Sequence, residues 1–464
     1  MNFNKIHSVY FIGIGGIGMS ALSRYFNNIG KMVYGYDRTK TTLTEKMYTE
    51  GINISYVDDL DSIPEQIIND KSSSLIVYTP AIPDNNTILQ YFKVQNYRLY
   101  KRAEVLGLIT ENYRTIAVAG THGKTSVSTM AAYILHESSL ACYAFLGGIS
   151  KNTGSNLMLP EIGRDDMFAV VEADEFDRSF LQLKPNIALI TSIDADHLDI
   201  YEDKADLVNS FRQFVKNIAQ DGILICKNNV NLQVDNRAKK FSYSLDEHAD
   251  YHAINLKANS NGTYSFDLQT PEKLISGLET GVQGKINAEN AVAASVIAHL
   301  AGVPDEVLRK NLKLCTGVKR RFDFQINNKD IVYIDDYAHH PEELKAFISS
   351  VKELFADKKI TGIFQPHLFT RTRDFANDFA QSLDMLDELF LLDIYPAREK
   401  PISGVSSKII FDKLKLSNKI MCTKNNLLAH IKNSKPEVLL TMGAGDIDRL
   451  VEPIKKEMSK ILVD

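Results

Sequence analysis

At 464 residues the chain exceeds one ordinary core, and typical domain sizes imply about three domains. Its 44% apolar and 24% charged residues are a globular composition, and no apolar run approaches the roughly 18 residues that span a bilayer, which excludes a membrane-crossing helix. A net charge of −5 excludes nucleic acid as the main partner, because such a partner demands a broad basic face.

The first strand pattern, Ser8–Ile12, starts so near the N-terminus that no cleavable signal peptide is expected ahead of it. It runs into Gly13-Ile14-Gly15-Gly16-Ile17-Gly18 and then an amphipathic stretch from Ala21 to Ile29. A GxGxxG turn between strand and helix offers backbone N–H groups and a positive dipole end to a diphosphate. Asp37 closes the next strand, VYGYD, at about the spacing of a ribose-binding acid. Alone, this pattern suggests NAD and an oxidoreductase, but the same turn suits any nucleotide diphosphate.

A second start follows. The strand Thr115–Ala119 ends in Gly120-Thr121-His122-Gly123-Lys124-Thr125-Ser126 and opens the helical run Val127–His136. Glycines let backbone N–H groups approach phosphate oxygens, Lys124 reaches the β- and γ-phosphates, and the Thr125 hydroxyl suits Mg²⁺. Val118 stands where the full eight-residue phosphate-loop pattern has glycine; the bland alternative is a glycine turn with a chance lysine. Downstream, MFAVVEADEFD is an apolar strand finishing in Glu172, Asp174, Glu175 and Asp177, the kind of strand end that holds Mg²⁺ beside a phosphate loop. ALITSIDADHLDIY is another, ending in Asp194, Asp196, His197 and Asp199; His197 there is either a turn residue or a ligand.

The stretch Lys239–Leu278 alternates in short strands such as Thr263–Leu268 and reads as a β-rich insertion. The third start is Ile331–Asp335, followed by DYAHHPEELKAFISSVKEL with apolar residues at helical spacing. Two basic clusters, Lys319-Arg320-Arg321 and Arg371-Thr372-Arg373, suit phosphates or a carboxylate, or else a solvated helix face. Cys142, Cys226, Cys315 and Cys422 form no CxxC pair and fit reduced thiols in a cytoplasmic protein. These restarts divide the chain into residues 1–112, 113–317 and 318–464, with no internal repeat. The expected class is α/β with mainly parallel sheets.

In order along the chain, GTHGKTS, EADEFDRSFL, TSIDADHLDIY, INAENAVAA, GVKRRFD, DDYAHHPEE, FQPHLFTRTRD and MGAGDID resemble the motifs of the ATP-dependent Mur ligases of bacterial cell-wall synthesis. The resemblance extends from Ile12 to about Asp448, and GIGGIGMS with FQPHLFTRTRD points to the branch that adds L-alanine. It implies a Rossmann-like UDP-binding domain, a central P-loop ATPase-type domain with the β-rich insertion, and a C-terminal Rossmann-like domain, with the active site where they meet. The implied partners are UDP-N-acetylmuramate, L-alanine and ATP with Mg²⁺, in a monomer or weak homodimer that contacts neither nucleic acid nor membrane.

Carried over motif by motif, the resemblance assigns Gly120, Thr121, His122, Gly123, Lys124, Thr125 and Ser126 to the ATP phosphates. Asn287 and Asn290 contact adenine, while Arg320 and Asp336 complete the nucleotide site. Thr125, Glu172 and His197 hold metal. Gly15, Gly16, Ile17, Gly18, Asp37 and Thr79 hold the UDP part. Tyr337, His339 and Arg371 bind the amino acid, with Lys124, Arg371 and His339 (as general base) taking the catalytic roles. Ile286 and Leu368 stand where many family members carry His and Arg, so one adenine-side contact and one carboxylate ligand are expected to be missing. The alternatives are a ligase that recycles peptide onto UDP-N-acetylmuramate, an NAD-dependent oxidoreductase and a non-catalytic nucleotide-binding regulator.

Overall fold

The computed structural model describes residues 3–160, 167–194, 201, 203–232, 237–397 and 399–461. The chain forms two compact units, one of Met1–Asn255, Phe266–Leu278 and Asn290–Thr316, the other of Leu256–Ser265, Glu279–Glu289 and Gly317–Asp464. Three mostly parallel α/β sheets carry the architecture, as expected. No helix among the described residues is long and apolar enough to cross a membrane.

In the first unit, β1 (Ser8–Ile12), β2 (Met32–Tyr36), β3 (Asn53–Ser55), β4 (Ser74–Tyr78) and β5 (Leu99–Lys101) make a parallel sheet in the order β3-β2-β1-β4-β5. A parallel sheet is covered on both faces, which is why its strands read as continuous apolar runs. Val9, Phe11, Leu75 and Val77 face one core, with Phe26 of the helix Ile17–Asn28; Tyr10, Ile12 and Ile76 face the other, with Ile88 and Phe92. Burying each large side chain of this kind contributes about 1.5–3 kcal/mol. Strand order reverses at β1, so the crevice beyond Ile12, Tyr36 and Tyr78 is where such a sheet takes ligands. The first helix begins at Ile17 rather than Ala21, because the loop's last residues already belong to its first turn.

The second sheet of this unit comprises β6 (Arg114–Ala119), β7 (Cys142–Phe145), β8 (Leu157–Met158), β9 (Phe168–Glu172), β10 (Ile187–Ile190), β11 (Ile223–Lys227) and β12 (Lys239–Ser244). Its order is β12-β11-β10-β6-β9-β7-β8, parallel except for β8. Of the expected β-rich insertion Lys239–Leu278, the first strand is β12, a parallel member of this sheet, and the rest is β13 (Tyr251–Ala258), β14 (Tyr264–Gln269) and β15 (Leu274–Glu279), which continue the strand order beyond it; the division between the units passes through these three. In the second unit, β16 (Asp323–Asn327), β17 (Val332–Asp336), β18 (Ile360–Phe364), β19 (Glu388–Leu391), β20 (Lys419–Met421) and β21 (Val438–Met442) form the order β16-β17-β21-β18-β19-β20, with only β16 antiparallel. Val332, Ile334, Leu440 and Met442 face one core, and Tyr333 and Leu439 the other.

Candidate active site

The phosphate loop leaves β6 at Gly120, whose φ of +125° L side chains rarely adopt; a Cβ there would also overlap the Thr191 hydroxyl at the end of β10. The loop is laced to that strand end. His122 N donates to Ser192 Oγ at 3.0 Å, Asp194 N donates to Thr121 Oγ1 at 2.9 Å, and His122 Nε2 lies 3.6 Å from the Asp194 carboxylate. Gly123 is the N-cap of the helix Lys124–His136 and gives it no side-chain cap, so the first-turn N–H groups of this helix face the loop. Thr125 and Ser126 are buried in that first turn. Asn290 reaches the loop as well, its Oδ1 standing 2.9 Å from where a Cβ on Gly123 would lie.

Lys124 is held in place. Its Nζ donates to the Gly120 carbonyl at 2.7 Å and sits 2.8 Å and 3.0 Å from the two oxygens of Glu175, a carboxylate only 1% exposed. Burial works against the ammonium, but Glu175, Asp174 and Glu172 outweigh it and hold Lys124 above its ordinary value. The acidic strand end expected from the sequence therefore does surround the lysine. Glu172 closes β9, and its carboxylate occupies the space a Cβ on Gly147 would fill. Carboxylate and hydroxyl oxygens suit Mg²⁺, which keeps several waters and shares phosphate oxygens instead of needing an all-protein cage. Among the described residues no group of three or more His, Cys, Asp or Glu is preassembled for a metal. His197 lies outside the described residues.

The glycine loop after β1 is pinned from three sides. Gly15 N donates to Asp37 Oδ2 at 2.8 Å, and Thr39 N to Asp37 Oδ1 at 2.9 Å, so the expected ribose acid also shapes the loop. Thr79 packs its methyl over Gly13, 2.6 Å from a Cβ position there. Asn156, fully buried in the segment before β8, donates to the Ile17 carbonyl at 2.6 Å and accepts from Arg24, which is paired with Glu50 at 2.6 Å. Gly16, Ile17, Gly18 and Thr79 line a cavity of about 260 Å³ whose other side carries Gly147, Glu172 and Asp174.

In the second unit, Asp336 ends β17 with both oxygens occupied, by Phe322 N at 2.7 Å and Ala338 N at 2.8 Å. Burial pushes this carboxyl up to about 6, against the lowering pull of Arg321 and the two N–H groups. A raised value means that ionisation disfavours folding: the contribution is fully present below the ordinary value of 3.8 and is lost as pH rises through about 6. Asp336→Asn should therefore gain melting temperature relative to the parent as pH rises from 4.5 to 7, on the order of 2 kcal/mol across the window. A pH-independent difference between the two proteins would contradict this.

Arg320 adopts a φ of +63° and spends its guanidinium on Asp335 at 3.3 Å and the Gly443 carbonyl at 2.5 Å. Arg320 and Arg321 both lie over the Tyr337 ring, 5.1 and 4.8 Å from its centre. His339 sets its ring edge-on to Tyr337, with Nδ1 3.0 Å from the Tyr337 carbonyl and 3.2 Å from Glu343. Those acceptors assign the proton to Nδ1 and leave Nε2 as the basic nitrogen. Arg371 is 7% exposed and acts electrostatically on Tyr337, which rules out a solvated helix face; its neighbour Arg373 is the exposed one, paired with Asp374. Leu368 is buried with a φ of +70° just before the helix Phe369–Asp374. Asn287 is buried one turn before Asn290 on the helix Lys285–Ala301, and Ile286 packs on the third sheet's core instead of offering a polar contact.

Several residues that hold this arrangement were not singled out from the sequence. They are Gly147, Arg102 and Asn156 in the first unit and His367 in the second. His367 stacks on Tyr395 and meets His339 edge-on, and its place in FQPH was the available signal.

Residues 8–114 match the catalytic domain of the Mur ligase family, residues 118–298 the Mur ligase middle domain, and residues 320–445 the Mur ligase glutamate ligase domain. The chain is 52% identical to the UDP-N-acetylmuramate–L-alanine ligase of Parabacteroides distasonis, covering 99% of each sequence. It is 48% identical to that of Phocaeicola vulgatus, covering 98% of each. The crystal structure of the UDP-N-acetylmuramate-alanine ligase from Thermotoga maritima superposes with a TM-score of 0.81 at 25% identity, over 98% of this chain and 99% of that one. A murein peptide ligase from Psychrobacter arcticus shares the fold at a TM-score of 0.70 and 20% identity, over 98% of each chain. The chain belongs to the Mur ligase family.

Proposed function

We propose that this chain is the ATP-dependent ligase that joins UDP-N-acetylmuramate to L-alanine through an acyl-phosphate, releasing ADP and phosphate. The observation that carries the reading is the cavity between the glycine loop and Glu172: it offers a nucleotide sugar a route from a diphosphate-binding turn to the acidic side of a phosphate loop. Full-length identity to ligases of that name supports the same substrates. The domains divide near residues 113 and 317.

The chemistry follows from the groups present. A free carboxylate is a poor acyl donor, so its oxygen first attacks the γ-phosphorus and the bond to ADP breaks. Lys124 offsets charge on the transferring phosphoryl oxygens from a position fixed by Gly120 and Glu175. Thr125 and Glu172 would hold Mg²⁺, which supplies further neutralisation of the phosphates. Arg371 takes the α-carboxylate of L-alanine, Tyr337 and His339 flank it, and His339 Nε2 accepts the amine's proton as nitrogen attacks the acyl carbon and phosphate leaves. Asn287 and Asn290 meet adenine, and Arg320 and Asp336, which also shape the turn that carries Tyr337, complete the nucleotide site.

Phosphate release tests the reading: it should require UDP-N-acetylmuramate, L-alanine, ATP and a divalent metal together. Glu172→Ala should cost far more turnover than His197→Ala, since a charged oxygen ligand is replaced in one case and a neutral nitrogen in the other. Release without L-alanine, or unchanged by chelator, would refute it. A tripeptide accepted in place of alanine would favour the recycling ligase.

A further inference from the structure

The helix Phe369–Asp374, which carries Arg371, is only six residues long, so it draws little stability from its own hydrogen bonds. Its N-cap residue is Leu368, whose apolar side chain cannot accept from the first-turn N–H groups and whose φ of +70° is unfavourable for a bulky residue. The cap comes instead from a residue 30 positions further along the chain. Glu399 accepts from Phe369 N at 2.5 Å and Thr370 N at 3.1 Å with one carboxylate oxygen, and from the Thr370 hydroxyl at 2.5 Å with the other.

The segment leading to Glu399 is bound to the same stretch. Leu368 N donates to the Tyr395 carbonyl at 3.0 Å, Tyr395 N donates to the Pro366 carbonyl at 2.8 Å, and the Tyr395 ring stacks on His367. Glu399 N then turns back onto the Pro396 carbonyl at 2.8 Å. Charge adds to this geometry, because a carboxylate is favoured where first-turn N–H groups point. The cap decides which arginine lies inside. Residues two apart on a helix point roughly 200° apart, so burying Arg371 sends Arg373 to solvent, where it pairs with Asp374. Turning so short a helix about its axis would exchange the two.

We propose that Glu399 is a positioning residue of the amino-acid site: its carboxylate fixes the rotation of the helix Phe369–Asp374 and so holds Arg371 where the α-carboxylate of L-alanine binds. The proposal rests on the ligase reading above. Glu399 acts through Arg371 and not on the substrate itself.

Steady-state phosphate release by the full chain, with L-alanine, ATP and UDP-N-acetylmuramate varied in turn, tests it. Glu399→Ala should raise the KM for L-alanine roughly three- to thirtyfold, the range spanned by loss of a helix cap, with kcat and the other two KM values within about twofold. Glu399→Gln, which keeps one acceptor oxygen but loses the charge, should show a smaller rise, and it serves the same comparison should the Ala variant not fold. In an Arg371→Ala background nothing remains to be positioned, so adding either substitution should raise the alanine KM no further. Effects that multiply in the double variant would make Glu399 a general stabiliser of the turn and overturn the proposal. An unchanged alanine KM would overturn it too, as would a loss spread equally over kcat and all three KM values. A parent chain whose phosphate release ignores L-alanine would overturn the ligase reading itself.

Discussion

Lys124→Ala should abolish ligation, with turnover falling at least a hundred- to a thousandfold, while affinity for UDP-N-acetylmuramate stays within about twofold. The split follows from the placement of the two loops. Lys124 lies on the turn after β6 and is held by the Gly120 carbonyl and Glu175; the glycine loop follows β1 in a different sheet and is held by Asp37, Thr79 and Asn156. A second effect accompanies the first. Removing Lys124 takes the closest cation from Glu175, which is only 1% exposed, and breaking a buried pair by one partner is strongly destabilising. Lys124→Ala should therefore also melt earlier, and adding Glu175→Gln should restore melting temperature without restoring turnover. If nucleotide-sugar affinity falls as far as turnover, the two loops do not divide the labour in this way.

Arg371→Ala should raise the KM for L-alanine by roughly ten- to a hundredfold, the loss of a partly buried, charge-assisted contact of about 1.5–3 kcal/mol, with little change in the KM for ATP. Arg371 is buried and acts electrostatically on Tyr337, and on the proposed reading the apolar Leu368 cannot stand in for it as a carboxylate ligand. Arg371→Lys should recover only part of the loss, because an ammonium does not reproduce the fork. Melting temperature read on the same protein separates the alternatives. A lower melting temperature with an unchanged alanine KM would make Arg371 a packing residue only.

Much of this protein was legible in its sequence because local rules and global fold agree. Each of the three starts pairs an apolar strand with a turn of special residues and a helix, and each became a parallel strand feeding a helix or a bound turn. The phosphate loop was readable for the same reason: Gly120, Gly123 and Lys124 fall within five consecutive residues, and their conformation is fixed within one turn. Strand ends also followed from local pattern, to within about a residue, as with Ile331–Asp335 against Val332–Asp336.

What the sequence could not decide is which distant side chains crowd the same point. Gly147 and Glu172 share one space because β7 and β9 are neighbours in the sheet, an adjacency no spacing encodes. Charge runs were equally mute. Arg371 and Arg373 sit two residues apart in one basic cluster, yet the helix turns one into the interior beside Tyr337 and leaves the other in solvent with Asp374. Arg102 opens a helix in a segment whose sequence carries no motif, and only the approach of that helix to Gly18 brings its guanidinium to the glycine loop. Composition and period specify elements, whereas a site is specified by contacts between elements, and those are set by how the sheets order their strands.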